Sequence, residues 1–405
     1  MNIVHIIGNG FDLNQGLPTS YAHFYEYYLQ LVPKDDAPVA IKNFRALLRE
    51  KLYNKRTECW VDLETTLGEI TEEFESVEDY ETAYLDVYSN LMEYLNKVYA
   101  RSMVEKFESP EKSIYSDLYY PWQYLVPSDR QKIEQMLPIR EERYVSIINF
   151  NYTDTLKRVT DLPSSEEKPL LTNSPMPVYY GGCRHIHHTL AGRDIILGVD
   201  NIAQIAKVEF RNDERIQNYL IKPQTNSDLG TMIDAECKNL IQNAHLVCIY
   251  GMSIGETDRT WWSQLGKRII AANNVAVIYF PFEKGINDIL PIRYPLIRNE
   301  YKRKLMTMMG LKESTSLQRL FVNFCNLPGR NIFSNPKRAN IEENFEDVMA
   351  QFQKEGKIIN PNTIKNPFAI ELRVPEVEPP LIEPKIYRER NLVDDLQNRS
   401  GQEYI

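Results

Sequence analysis

The sequence predicts an α/β fold: a doubly wound, mostly parallel sheet carrying a large helical insertion. Three observations point there. Short apolar runs rich in β-branched residues recur at residues 3–7, 144–148, 244–250 and 275–280, and each suits a strand buried on both faces. The first three run straight into polar loops of Gly, Asn, Ser and Asp. Between the first two runs, residues 25–140 carry helical periodicity, far more chain than a crossover in such a sheet requires.

Taken in order, residues 3–7 feed Gly8-Asn9-Gly10, and a second turn follows at Gly16-Leu17-Pro18. Thr19 and Ser20 stand where an N-cap would, ahead of a helix over 21–32. A strand, a glycine turn and a helix start together can hold a phosphate, because glycine admits the anion and the helix offers free N–H groups. Gly8-x-Gly10 lacks the third glycine of the dinucleotide fingerprint, so a plain strand-to-helix turn explains it equally well. Pro33 and Asp35-Asp36 end the helix, and residues 39–52 resume helical spacing. Trp60-Val61-Asp62-Leu63-Glu64 opens another helix, with Asp62 able to cap it. Residues 78–99 form the clearest helix, with Tyr84, Tyr88, Leu91, Leu95 and Val98 on one face. Residues 111–137 are weaker and broken at Pro121 and Pro127.

Residues 143–149 read as the next strand, ending in Asn149-Phe150-Asn151-Tyr152-Thr153-Asp154, and Thr155 starts a short helix. The proline-rich residues 162–178 read as a loop. Residues 178–188 and 194–199 read as strands, and 202–243 as helix interrupted at 223–227. Residues 244–250 lead into the loop 251–258, and Trp261-Trp262 open a helix. Residues 275–280 are expected as the last core strand. The expected organisation is an α/β core over 1–285, a helical region over 286–360 and a Pro- and charge-rich tail over 361–405.

Composition narrows the function classes. A formal charge of −9 argues against a broad nucleic-acid surface. No apolar run spans a bilayer, and the first residues lack a basic n-region, so neither membrane partner nor signal peptide is expected. Cys59, Cys183, Cys237, Cys248 and Cys325 form no C-x-x-C pair. That composition fits reduced thiols and a cytoplasmic protein, with no metal site expected. The 25 tyrosines outnumber the 15 phenylalanines, which suggests helix faces that are only half dry.

The polar loops matter more as a set than singly. Residues 8–12, 151–154, 185–188 and 251–258 each follow an apolar run, and the carboxyl ends of parallel strands share one edge, where ligands bind. Each has a plainer explanation: Asn151 as a helix cap, Asp258 as the N-cap of the Trp261 helix, and His185, His187 and His188 as a strand surface. Together they point to a ligand crevice.

These residues also resemble known families. Gly8-x-Gly10 with Gly16-x-Pro18, Asn151-Tyr152 after a strand, His187, and Gly251-x-Ser253 follow the order of the sirtuin motifs. The closer resemblance is to the bacteriophage abortive-infection family AbiH. Ile-Gly-Asn-Gly-Phe-Asp-Leu, Phe-Asn-Tyr-Thr-Asp-Thr-Leu, His-Ile-His and Tyr-Gly-Met-Ser-Ile-Gly-Glu-Thr-Asp carry it over roughly residues 1–285. Trp60, Asp62 and Glu64 resemble a recurrent patch of that family, although helix initiation explains them better.

The resemblance implies a Rossmann-like, sirtuin-like core binding NAD, as substrate or ligand. It implies an anti-phage protein cleaving NAD+ to nicotinamide and ADP-ribose. Gly8, Asn9 and Gly10 would cradle the phosphates, with Phe11, Asp12, Gly16, Pro18, Tyr152, Gly251 and Asp258 around the nucleotide and Ser253 on the adenosine ribose. Asn151 would orient ribose or water, Asp154 would assist, and His187 would act as general base with a pKa near neutrality. The alternatives are a non-catalytic NAD or ADP-ribose sensor and an ADP-ribosyl transferase. Expected partners are the nucleotide, a second copy of the chain, or a phage-derived trigger. Asp12 replaces the sirtuin serine, Asp154 lies one position late, His188 replaces a glycine, and the zinc cysteines are absent. The last departure argues against protein deacylation.

Overall fold

A computed structural model describes residues 1–359, except 33–35, 55–61, 102–113, 140, 161, 163–168, 172–175, 193, 313–316, 330 and 336–337. Trp60, Cys59 and the expected tail therefore lie outside the described residues.

Strand β1 (Asn2–Ile7) is buried at five consecutive positions, as its apolar sequence requires. It turns into α1 (Gly10–Asn14). Helix α2 (Tyr21–Leu29) starts at Ser20, whose side chain accepts the His23 N–H. Helices α3 (Val39–Asn54), α4 (Leu63–Glu69) and α5 (Val77–Arg101) follow, and Asp62 caps α4 as expected. Helices α6 (Ile114–Tyr119) and α7 (Pro127–Met136) lead into β2 (Arg143–Asn149). Beyond it come α8 (Thr155–Val159), β3 (Pro169–Leu171), β4 (Val178–His185) and the short pair β5 (His188–Thr189) and β6 (Asp194–Ile195). Helices α9 (Glu214–Leu220), α10 (Lys222–Asp228) and α11 (Ile233–Asn243) precede β7 (Leu246–Tyr250). The chain continues through α12 (Arg259–Ala271), β8 (Ala276–Phe280), α13 (Tyr294–Met309), β9 (Leu320–Val322) and α14 (Ile341–Lys354).

The main sheet runs β3-β4-β2-β1-β7-β8-β9. Six strands are parallel, and β3 pairs antiparallel to β4 at one edge. Counting only the parallel strands, the order is third-second-first-fourth-fifth-sixth, the doubly wound order that reverses direction beside the first strand.

Four local expectations differ. Residues 275–280 are not the last core strand, because β9 adds a short buried edge beyond β8. The 162–178 loop contains β3. Residues 194–199 form only the two-residue β6, paired with β5 outside the main sheet. The expected break at 223–227 is itself helix α10, with Pro223 in its first turn, where the missing N–H has no helical partner to lose.

Three cores result. Alternate residues of the strands face α6 and α7 on one side and α11, α12 and α13 on the other. The third core joins α2, α3, α4 and α5 to segment 190–220 and to α14.

Candidate functional site

Parallel pairing brings the strand ends level. Ile7 lies opposite both Asn149 and Tyr250, and Asn149 lies opposite His185. The four polar loops therefore leave one edge of the sheet, next to the reversal of strand order between β1 and β7.

The glycine turn is built for contact with a neighbouring loop. Gly8 N–H donates to the Tyr250 carbonyl at 2.9 Å and Gly10 N–H to the Gly251 carbonyl at 2.8 Å. A Cβ on Gly10 would fall 2.5 Å from Gly251 Cα, and Gly251 itself has φ +67°. These two amides are thus already donors and do not form the expected phosphate cradle. Asn9 closes the loop on itself, donating to the Thr19 carbonyl at 3.1 Å and accepting the Thr19 hydroxyl at 2.6 Å. Phe11 packs edge-on to Tyr250 and Phe333. The Gly16 carbonyl accepts from Asn344, and the Pro18 carbonyl from the Tyr94 hydroxyl. Those two positions anchor the loop to α14 and α5.

Asp12 sits beneath the turn at 1 % exposure. It accepts from Asn151 Nδ2 at 3.0 Å and from the Thr153 hydroxyl. Burial lifts its carboxyl to about 7, against the lowering effect of the Thr153 and Thr155 hydroxyls. Asn151 caps no helix through its side chain. The N-cap of α8 is Asp154, without a side-chain cap bond, and Asp154 instead meets His185 Nε2 at 3.2 Å.

A second cluster lies among Tyr152, His187, Asp258 and two residues that sequence reasoning did not assign to the site, Glu64 and Lys222. Lys222 Nζ contacts Glu64 Oε2 at 2.8 Å and Asp258 Oδ1 at 2.9 Å. Tyr152 donates to Glu64 Oε1 at 3.1 Å. Burial alone would lower the Lys222 ammonium, but Asp258 and Glu64 outweigh it and raise its pKa. Burial raises the Glu64 carboxyl, opposed by Lys222. Asp62 caps α4 and also accepts from Thr257 at 3.3 Å. Helix initiation explains Asp62, as expected, whereas Glu64 reaches inward from the same turn. Lys222 has no signature at all: it is one lysine before a proline.

His187 packs edge-on to Phe150, with centroids 5.1 Å apart, and its Nε2 lies 3.7 Å from Asp258 Oδ1. Strand β4 ends at His185, so His185 and His187 do not share a strand face. Burial, with Lys222 nearby, pushes His187 down to about 3 rather than the expected neutral range. It is an uncharged imidazole, able to accept a hydrogen bond. Asp258 is not a side-chain cap for α12 but a partner of Lys222. Ser253 is exposed on the rim.

The interior of the site is closed. Asp12, Asn151, His187, Lys222 and Glu64 are all at most 5 % exposed. Among the described residues, no helix is long and apolar enough to cross a membrane.

No curated protein matches the chain. A family model described as bacteriophage abortive infection AbiH matches residues 4–280, a span that holds the glycine turn, the Asn151 loop, His187 and the Gly251–Asp258 loop. More than half of the sequence lies within that match, and the chain belongs to the bacteriophage abortive infection AbiH family.

Proposed function

We propose that this protein acts in abortive infection by cleaving the nicotinamide–ribose bond of NAD+. The observation that carries the reading is the gathering of Asn151, His187 and the Glu64–Lys222–Asp258 cluster at the carboxyl edge of the sheet, beside the reversal of strand order. Dinucleotides bind at that point in doubly wound sheets.

The chemistry follows from charge. As the C1′–N bond breaks, its electron pair passes to the ring nitrogen and neutralises the pyridinium, and positive charge develops on the ribose. Buried carboxylates fixed in advance stabilise such a charge. With Glu64 ionised, its buried carboxylate and the partly buried Asp258 carboxylate together outnumber the single Lys222 ammonium. Water then adds at C1′. His187, uncharged, accepts a hydrogen bond from that water, and Asp258 at 3.7 Å offsets the charge as its proton leaves. Asn151 orients the water or a ribose hydroxyl. Because the Gly8 and Gly10 amides are engaged by the Tyr250 and Gly251 carbonyls, the reading rests on the ribose end of the nucleotide and assigns no phosphate contact to them.

The closed interior favours a second reading in which the protein binds the nucleotide as a sensor and leaves it intact. One experiment separates them. Purified protein is incubated with NAD+, products are resolved by chromatography, and thermal stabilisation by NAD+ and ADP-ribose is recorded alongside. Nicotinamide release that disappears in folded Asn151→Ala and His187→Ala proteins supports cleavage. Saturable stabilisation without product supports the sensor. Neither signal overturns both.

A further inference from the structure

We propose that Asp12 is a positioning residue that fixes which end of the Asn151 amide faces the site, so that Asn151 presents an oxygen and recognises a hydrogen-bond donor. The functional half of this inference rests on the cleavage reading above; the structural half stands without it.

An ionised carboxylate only accepts. Asp12 Oδ1 lies 3.0 Å from the Asn151 side-chain nitrogen, and Oδ2 receives the Thr153 hydroxyl. Thr153 Oγ1 is 2.7 Å from Thr155 Oγ1. With the Thr153 proton committed to Asp12, Thr155 is the donor of that second contact. The hydrogen bonds therefore run in one direction, from Thr155 to Thr153 to Asp12, with Asn151 donating from the other side. The backbone is held as well, since Asn151 N–H donates to Asn149 Oδ1 at 3.0 Å.

This leaves Asn151 Oδ1 facing away from Asp12. It is buried and has no hydrogen-bond partner among the described residues. A buried carbonyl oxygen without a donor is uncommon and calls for a functional explanation. Only an O–H or N–H group can satisfy it. A ribose hydroxyl, the attacking water or the NH2 of a nicotinamide carboxamide qualifies, and a carbonyl oxygen does not. A serine at position 12, which both donates and accepts, would leave the amide free to take either orientation. The carboxylate removes that freedom.

The same logic gives a pH signature. A proton on Asp12 Oδ2 turns that oxygen from acceptor into donor, so the Thr153 hydroxyl reverses and donates to Thr155, while Oδ1 still accepts from Asn151. The groups facing Asp12 are Asn151, Thr153 and Thr155, with Tyr99 of α5 the titratable neighbour. The Asn151 amide signals should therefore shift, with the orientation kept, as pH falls through the range in which Asp12 takes up its proton.

The test uses the full chain in three forms: wild type, Asp12→Asn and Asp12→Ala. Asparagine at position 12 keeps an oxygen for Asn151 and offers its NH2 to Thr153 Oγ1, yet cannot titrate. The first readout is the pair of side-chain amide signals of Asn151 in protein labelled with 15N at asparagine, followed from pH 8 to 5. The expected result is a shift centred near pH 7 in wild type, no shift in Asp12→Asn, and broadened, fast-exchanging signals in Asp12→Ala. The second readout is nicotinamide release: Asp12→Asn should stay within a few-fold of wild type. Asp12→Ala should fall about 100-fold in kcat, as expected for a misplaced reacting partner. Asn151 signals that ignore both pH and the Asp12 substitutions would overturn the inference, as would Asp12→Asn failing as badly as Asp12→Ala while folded. If wild type neither cleaves nor binds NAD+ but the Asn151 signals follow Asp12, the cleavage reading fails and the positioning role stands. If Asp12→Ala does not fold, the wild-type titration and Asp12→Asn still decide.

Discussion

At the scale of single residues, two buried carboxyl systems set measurable energies. Asp12 has its carboxyl raised from 3.8 to about 7 by burial, so between those values the native state holds a proton that the unfolded chain releases. The stability contributed by this group is complete below about pH 4 and is lost as pH rises to 7. Asp12→Asn should therefore gain on wild type by about 1.4 kcal/mol per pH unit across that window, and hold a constant advantage above it. Urea titrations at several pH values would measure the difference, and a difference independent of pH would refute the raised carboxyl. Lys222 poses the opposite problem. Its ammonium is buried between two carboxylates, and removing one member of such a group leaves charge without a partner. Lys222→Met should cost about 3–5 kcal/mol. Adding Glu64→Gln should restore part of that loss, because one of the stranded carboxylates is then neutral. A double-mutant cycle by denaturant unfolding reads the coupling, and strict additivity of the two changes would argue against the ion pair.

At the scale of elements, the helical insertion is tied to the site loops by its tyrosines. On α5, Tyr84 donates to the Leu197 and Tyr219 carbonyls, Tyr88 to the Ile195 carbonyl and Tyr94 to the Pro18 carbonyl. The sequence predicted tyrosines on helix faces that are only half dry. Tyr80, Tyr84 and Tyr94 are instead buried, and their hydroxyls satisfy backbone carbonyls: Leu67 of α4, Leu197 and Tyr219, and Pro18. Such partners are distant in sequence, so periodicity cannot reveal them. Tyr84→Phe should cost about 1–3 kcal/mol, the penalty of leaving a buried carbonyl unpaired, and should loosen segment 190–199 more than the sheet. Helix α4 makes a related link, since it carries Glu64 to Lys222. In Lys222→Met, hydrogen exchange should accelerate in α4 while β1 and β2 keep their protection. Equal acceleration everywhere would show that the contact stabilises the fold without holding α4 in particular.

At the scale of the whole molecule, local apolar runs made the sheet legible and long-range polar contacts hid the rest. Strands β1, β2, β7 and β8 announce themselves because strands buried on both faces need continuous apolar sequence. The three residues of β9 and of β3 are too short to carry a pattern. Among the site residues, the loop positions were legible from their place after strands. The partnership of Asp12 with Asn151, and the presence of Lys222, depend on which loops meet, and no local spacing records that. The third core shows the same limit on a larger scale. Phe345, Val348 and Phe352 of α14 share one cluster with α2 and α5, although most of the chain lies between them. Phe352 is fully buried, with its ring centroid 4.2 Å from that of Tyr27 and 6.4 Å from that of Tyr94. Phe352→Ala should therefore cost about 3–5 kcal/mol through the cavity it leaves. Because this core is distinct from the two that sandwich the sheet, the loss should appear as local opening. Amides of α2 and α5 should exchange faster, with those of β7 and β8 unchanged. Since Tyr94 of α5 also holds the Pro18 carbonyl and α4 supplies Glu64, a loosened insertion would reach the closed site from the outside. A variant that exchanges faster in the insertion and also binds or cleaves NAD+ faster would identify this core as the part of the molecule that keeps the site shut, whereas faster exchange with unchanged or lower activity would assign it to stability alone.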